Sequence, residues 1–101
     1  MNAVFLKGRL GNDAERKERL IKFSIAVDKG FGENKTTMWV NVVTFNEKSF
    51  DFLEEYLVKG ALVFIQGRID VHEWINTEGE VRKNFGVVAD HIEIPKTGGK
   101  S

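Results

Sequence analysis

Residues 61–69 read ALVFIQGRI, a dense apolar strand broken only by Gly67. A glycine inside a run this apolar marks a bend or bulge, the device by which a sheet curls tightly enough to close. The strand continues through Val71, His72 and Trp74 to about Ile75. NTEGE at 76–80 is a polar hairpin tip with glycine at a turn position. The return strand runs from about Val81 to Ile94, where Pro95 stops it.

Working back from Ala61, residues 46–59 read as the one helix. Phe50, Leu53 and Leu57 recur at helical spacing, and Phe52 and Tyr56 form an i,i+4 pair. Asn46 or Ser49 is placed to cap it, with Lys59-Gly60 as the terminator. Before it, MWVNVVTF at 38–45 puts Trp39, Asn41, Val43 and Phe45 on one strand face and Met38, Val40, Val42 and Thr44 on the other. Both faces are largely apolar, so one is core and the other requires a partner. Residues 28–37 hold glycines and an asparagine around a lone Phe31, which reads as a loop. IKFSIAV at 21–27 alternates cleanly as a half-buried strand. The charged stretch 11–20 reads as loop or ragged turn, and 2–10 as a first strand around Val4 and Leu6. Three strands, one helix and two strands contain no βαβ alternation. They match an all-β, five-stranded Greek-key barrel of antiparallel strands with one helix between strands three and four, the OB-fold.

A chain of 101 residues is one domain by length, here 1–95 followed by a loose tail at 96–101. The apolar share of 42% is that of a folded protein. No apolar run reaches the length of a membrane helix, and the start MNAVFLKGRLG is not a signal peptide. The absence of cysteine excludes a disulfide scaffold and a thiolate zinc site, and makes a cytosolic location the default. Fifteen basic and fifteen acidic side chains cancel, so no overall field draws a polyanion. Their distribution is uneven. Residues 1–40 carry eight basic and five acidic groups, 41–80 three and eight, and 81–101 four and two.

Catalysis finds no support. His72 and His91 lack any metal-ligand spacing, Ser24 and Ser49 read as strand and cap residues, and Asp70 and Glu73 have opposite strand parity. No cofactor loop is present either, since Gly30-Phe31-Gly32 lacks the lysine and the strand–helix setting of a phosphate cradle. The aromatics carry more. Trp39 and Phe45 stand outward if Val40 and Val42 point inward, Trp74 sits on a projecting hairpin, and Phe31 lies in a Gly-rich loop. Rings so placed are either stacking platforms for single-stranded nucleic acid or core and subunit-interface residues. Lys7, Arg9, Lys22, Lys29, Lys35, Arg68, Arg82 and Lys83 lie near these rings, and cations interleaved with exposed rings are what a groove tracking a phosphate backbone needs. Arg16, Lys17 and Arg19 alternate with Glu15 and Glu18 and read as a solvated face.

The opening MNAVFLKGRLG, FSIAV at 23–27, Thr37 to Phe45, EYLVKG at 55–60, LVFIQGRI at 62–69, Trp74 and VVADHIEI at 87–94 occur in one order and spacing. Over residues 1–94 the chain resembles the bacterial and phage single-stranded DNA-binding proteins. That resemblance implies an OB barrel and binding of single-stranded DNA without marked sequence preference, in replication, recombination and repair. It also implies a homotetramer built from dimers, with a homodimer as the alternative, and neither catalysis nor a cofactor. Carried over by motif, the stacking residues are Trp39, Phe45 and Trp74, with Phe31 a looser match. Lys7, Arg9, Arg68 and Arg82 are the phosphate contacts. Strand one and the second apolar face of strand three become subunit contacts. Three departures stand out: an acidic hairpin at Asp70, His72 and Glu73, the pair Val40-Asn41 after the strand-three tryptophan, and an end at Ser101. The family continues into a long linker with an acidic tip that recruits replication and repair proteins. The expectation is therefore a tail-less form or a piece of a longer chain. A primosome accessory subunit acting mainly through protein partners is the competing reading.

Overall fold

The computed structural model describes residues 1–29, 33 and 36–95. Strands β1 (Val4–Leu10), β2 (Glu15–Arg16), β3 (Ile21–Lys29) and β4 (Thr36–Thr44) precede helix α1 (Phe50–Tyr56), and β5 (Leu62–Ile75) and β6 (Val81–Glu93) follow it. The sheet runs β1-β5-β6-β4-β3-β2, and a further β1–β3 pairing through Arg9–Ala26 and Leu10–Ile25 closes β1, β3, β4, β6 and β5 into a barrel. One seam differs from an all-antiparallel barrel. β4 and β6 run parallel, with Val42 beside Val87 and Val43 beside Val88. Helix α1 and then β5, antiparallel to β6, lie between them in the chain, so two reversals of direction bring β6 back parallel to β4.

Alternation does what the sequence predicts. Leu10, Ile21, Phe23, Ile25, Val42, Val63, Ile65, Val87 and Ala89 point inward, and Phe50, Leu53 and Leu57 join the same cluster from α1 and its end. Inward Val42 and Thr44 leave Trp39, Asn41 and Phe45 outside, as the parity of β4 requires. Gly67 marks a bulge. The register jumps from Gln66–His91 to Gly67–Ala89, leaving Asp90 as the extra residue of β6. A β-carbon on Gly67 would lie 2.2 Å from the Val88 carbonyl oxygen, so no larger residue fits where the two strands bend together.

Two stretches depart from the sequence reading. Within 11–20, Glu15 and Arg16 form a short strand against Lys22 and Ile21. It completes the sheet edge through backbone pairing, which leaves no alternation in so short a run. The helix expected over 46–59 is a 3-10 turn at Glu47–Ser49 and then only Phe50–Tyr56. Neither Asn46 nor Ser49 makes a side-chain cap bond. Leu57 leaves helical geometry because its side chain is taken into the core and its neighbours bond elsewhere. The Gly60 amide donates to the Leu10 carbonyl at 2.8 Å, and the Lys59 amide to Asp13 Oδ1 at 2.8 Å. Arg16 ties β2 to α1, donating to Asp51 at 3.1 Å and Glu54 at 3.3 Å, with its guanidinium 5.3 Å from the Phe50 ring centre. The Asp51 hydrogen bond raises the guanidinium pKa; desolvation opposes it, and the Glu54 hydrogen bond and the two carboxylate charges add to the rise.

Candidate nucleic-acid interface

The outer wall is built in rows, because residues paired across neighbouring strands share a face. Arg9, Ala26 and Trp39 form one row across β1, β3 and β4. Ser24 and Asn41 form the next, joined by a Ser24 Oγ to Asn41 Oδ1 hydrogen bond of 2.9 Å. Glu15, Lys22, Val43, Val88 and Arg68 form a third that crosses the parallel seam into β5. Beyond the seam, β5 and β6 leave the barrel as a long two-stranded arm. Its outer face continues that wall as Asp70, His72 and Trp74 on β5, opposite Gly86, Asn84 and Arg82 on β6. The arm's other face carries exposed Ile69, Val71, Ile75, Val81 and Phe85. Asn76 holds the tip, its Oδ1 accepting the amides of Glu78 and Glu80 at 2.9 Å each.

Within this chain, then, the tryptophans are not core. Trp39 is 61% exposed, Phe45 53% and Trp74 43%. Trp74 stacks on His72 at 5.6 Å with the ring planes 24° apart, next to its cross-strand partner Arg82. The predicted cations divide. Arg9 donates to the Gly60 carbonyl at 3.0 Å beside Trp39, which fixes its guanidinium without neutralising it. Arg68 is bound to Asp90 at 2.8 Å and Arg82 to Glu80 at 3.0 Å. Lys7 lies apart from the tryptophans, paired in register with Phe64 on the β1–β5 wall near exposed Phe5. Phe31 falls outside the described residues.

Between the β3–β4 wall and the arm lies an open groove of about 510 Å³, lined by Lys22, Ser24, Asn41, Asp70, His72 and Asn84 among others. Reading the sequence did not assemble this set. Ser24 and Asn41 sit at outward positions of their own strands, which period-2 counting shows. That they face Asn84 and His72 depends on strand register and on the curl of the arm. Among the described residues no group of three or more His, Asp or Glu side chains is arranged to hold a metal ion. No helix among them is long and apolar enough to cross a membrane.

A closed five-stranded barrel with a projecting arm, outward rings on its wall and a polar groove between the two defines an OB-fold domain. The chain belongs to the single-strand binding protein family, whose model matches residues 1–95. It is 34% identical over 104 residues to the single-stranded DNA-binding protein of Fusobacterium nucleatum, covering 93% of this chain and 66% of that protein. It is also 34% identical over 105 residues to single-stranded DNA-binding protein 1 of Chlorobaculum tepidum, covering 93% and 64%. The chain thus spans about two thirds of the length of these curated relatives. Among solved structures, its fold is that of the Plasmodium falciparum SSB in complex with ssDNA, at TM-score 0.83 and 20% identity over 95% of this chain and 96% of that one. The mitochondrial single-stranded DNA binding protein Rim1 of S. cerevisiae superposes at TM-score 0.70 with 28% identity, over 91% and 92%.

Proposed function

We propose that this chain binds and protects single-stranded DNA, largely independently of sequence, as a non-catalytic cytoplasmic protein of replication, recombination and repair. One observation carries the reading: Trp39, Phe45 and Trp74 all lie exposed on the outer wall and arm of the barrel. Bases stack on such rings with roughly 1–3 kcal/mol each, and every base has a face to offer. Phe31 is the fourth ring of the proposal. Lys7, Arg9, Arg68 and Arg82 meet the phosphates. With a net charge of zero, stacking dominates and electrostatic steering is weak. A homotetramer or homodimer would line up several barrels for one strand of DNA and raise avidity.

A second reading has its own observation. Arg68 and Arg82 are occupied by Asp90 and Glu80, and the arm exposes an apolar face; both features suit a replication accessory protein whose main partner is another protein. Tryptophan fluorescence during titration with poly(dT), at low and high salt, separates the two. Saturable quenching supports DNA binding. A folded protein without quenching supports the protein partner.

A further inference from the structure

The imidazole of His72 lines the groove between the β3–β4 wall and the arm, and it also stacks on Trp74 farther along the arm. At alternate positions of β5 the two rings share one face, so they form a single aromatic surface leading out of the groove. Among the described residues the imidazole nitrogens make no hydrogen bond and no ion pair. Histidine is the side chain that ordinarily changes charge between about pH 5 and 8. The chain has two histidines and no cysteine. The other, His91, lies 3.9 Å from Glu93 and lines a separate small pocket with Asn46 and Phe52.

The charges facing His72 come from three sides. On its own strand Asp70 stands two residues back. On β6 its partner Asn84 is neutral, and Arg82, diagonal to it, is held by Glu80 at 3.0 Å. Asp13, Glu15 and Lys22 line the groove opposite, where Asp13 accepts the Lys59 amide and Glu15 pairs with Lys17. Glu73 and Lys83 belong to the arm's other face. With His72 neutral, carboxylates outnumber cations here and a phosphate is repelled. Protonation adds a cation that no carboxylate already holds.

We infer that His72 is a further DNA-binding residue and that its protonation sets how tightly the arm holds a strand. At any pH the ring extends the stacking surface of Trp74. Below neutrality the imidazolium adds a charge-assisted contact to a backbone phosphate. The proton is drawn from solvent as the strand binds and returns there as it leaves, so binding tightens as pH falls. An exposed contact of this kind is worth about three- to fivefold in affinity. The inference rests on the single-stranded DNA reading above and adds a pH dependence to it.

The test uses an oligothymidylate of about 15 nucleotides, a length one OB barrel can occlude, whose bases and phosphates keep their charge across this pH range. Affinity is measured between about pH 5.5 and 8 for the wild-type chain, His72→Phe, His72→Lys and His91→Gln, each checked for folding by circular dichroism. His72→Phe keeps the stacked ring and loses the titration, and His72→Lys carries a permanent cation. The wild type and His91→Gln should bind about three- to fivefold tighter at the acid end. His72→Phe should be flat and match the wild type at the alkaline end, while His72→Lys should be flat and tight throughout. Added salt should shrink the wild-type effect. A wild-type profile flat within about 1.5-fold would overturn the role of His72 and leave DNA binding standing. A pH effect that survives in His72→Phe, or that vanishes in His91→Gln, would overturn it too. No binding at any pH would overturn the parent function, and this inference with it.

Discussion

The indole of Trp39 lies over the backbone of Gly11: a β-carbon placed on Gly11 would sit 2.6 Å from Cζ3 and 2.8 Å from Cη2 of the ring. The two residues are far apart in sequence and meet because β1 and β4 both flank β3. Gly11 is thus the bare floor on which the exposed ring rests. In Gly11→Ala the ring must swing off that floor. Because the clash is with an exposed, movable side chain, stability should change by less than about 1 kcal/mol. Affinity for single-stranded DNA should fall toward that of Trp39→Ala. Paired thermal melts and poly(dT) titrations check this, and unchanged affinity would show that the ring's pose is immaterial.

Gly67 faces a different neighbour. Its missing β-carbon would meet backbone, the Val88 carbonyl oxygen at 2.2 Å, where nothing can rotate away. Gly67→Ala should therefore destabilise the barrel by about 2–4 kcal/mol. Urea unfolding measures it. A loss below about 1 kcal/mol would mean that the bulge shifts freely.

Trp39→Ala and Trp74→Ala should each weaken binding to oligothymidylate by roughly 1–3 kcal/mol while leaving the fold intact. Trp39 lies on the rigid wall in a row with Arg9 and Ala26, whereas Trp74 rides on the arm. If Trp39→Ala abolishes quenching and Trp74→Ala does not, the strand follows the wall. The reverse pattern would place it on the arm.

Salt dependence should be shallow. Arg68 and Arg82 already hold carboxylates, so a phosphate must displace Asp90 or Glu80 to reach them. Fewer than about five counterions released per monomer are expected between low and high salt. Asp90→Asn frees Arg68, which should tighten binding at low salt and steepen the slope by about one. A slope identical to wild type would remove Arg68 from the phosphate path.

Much of this molecule is legible in its sequence because its core strands alternate strictly. Ile21, Phe23 and Ile25 announce an inward face, and Val42 between Asn41 and Val43 fixes which side of β4 is out. Gly67 in ALVFIQGRI marks the bend by residue type alone, since only a residue without a side chain fits there. Such signals are local: they depend on strand period and on what one residue can physically do. The outward exposure of Trp39 and Phe45 follows from the same parity, whereas Trp74 is exposed because it lies on the projecting arm, both of whose faces are exposed.

Tertiary structure decided the rest. β2 is two residues held by backbone pairing to the edge of β3, with no side-chain pattern to betray it. The helix is short because its end is set by the core taking Leu57 and by the Leu10 carbonyl taking the Gly60 amide, partners far away in the chain. The parallel β4–β6 seam, the ion pairs that occupy Arg68 and Arg82, and the groove joining Asn41 to His72 all arise from register and curvature between distant strands. Alternation determines which side of a strand faces water, while closure of the barrel determines which residues share that side.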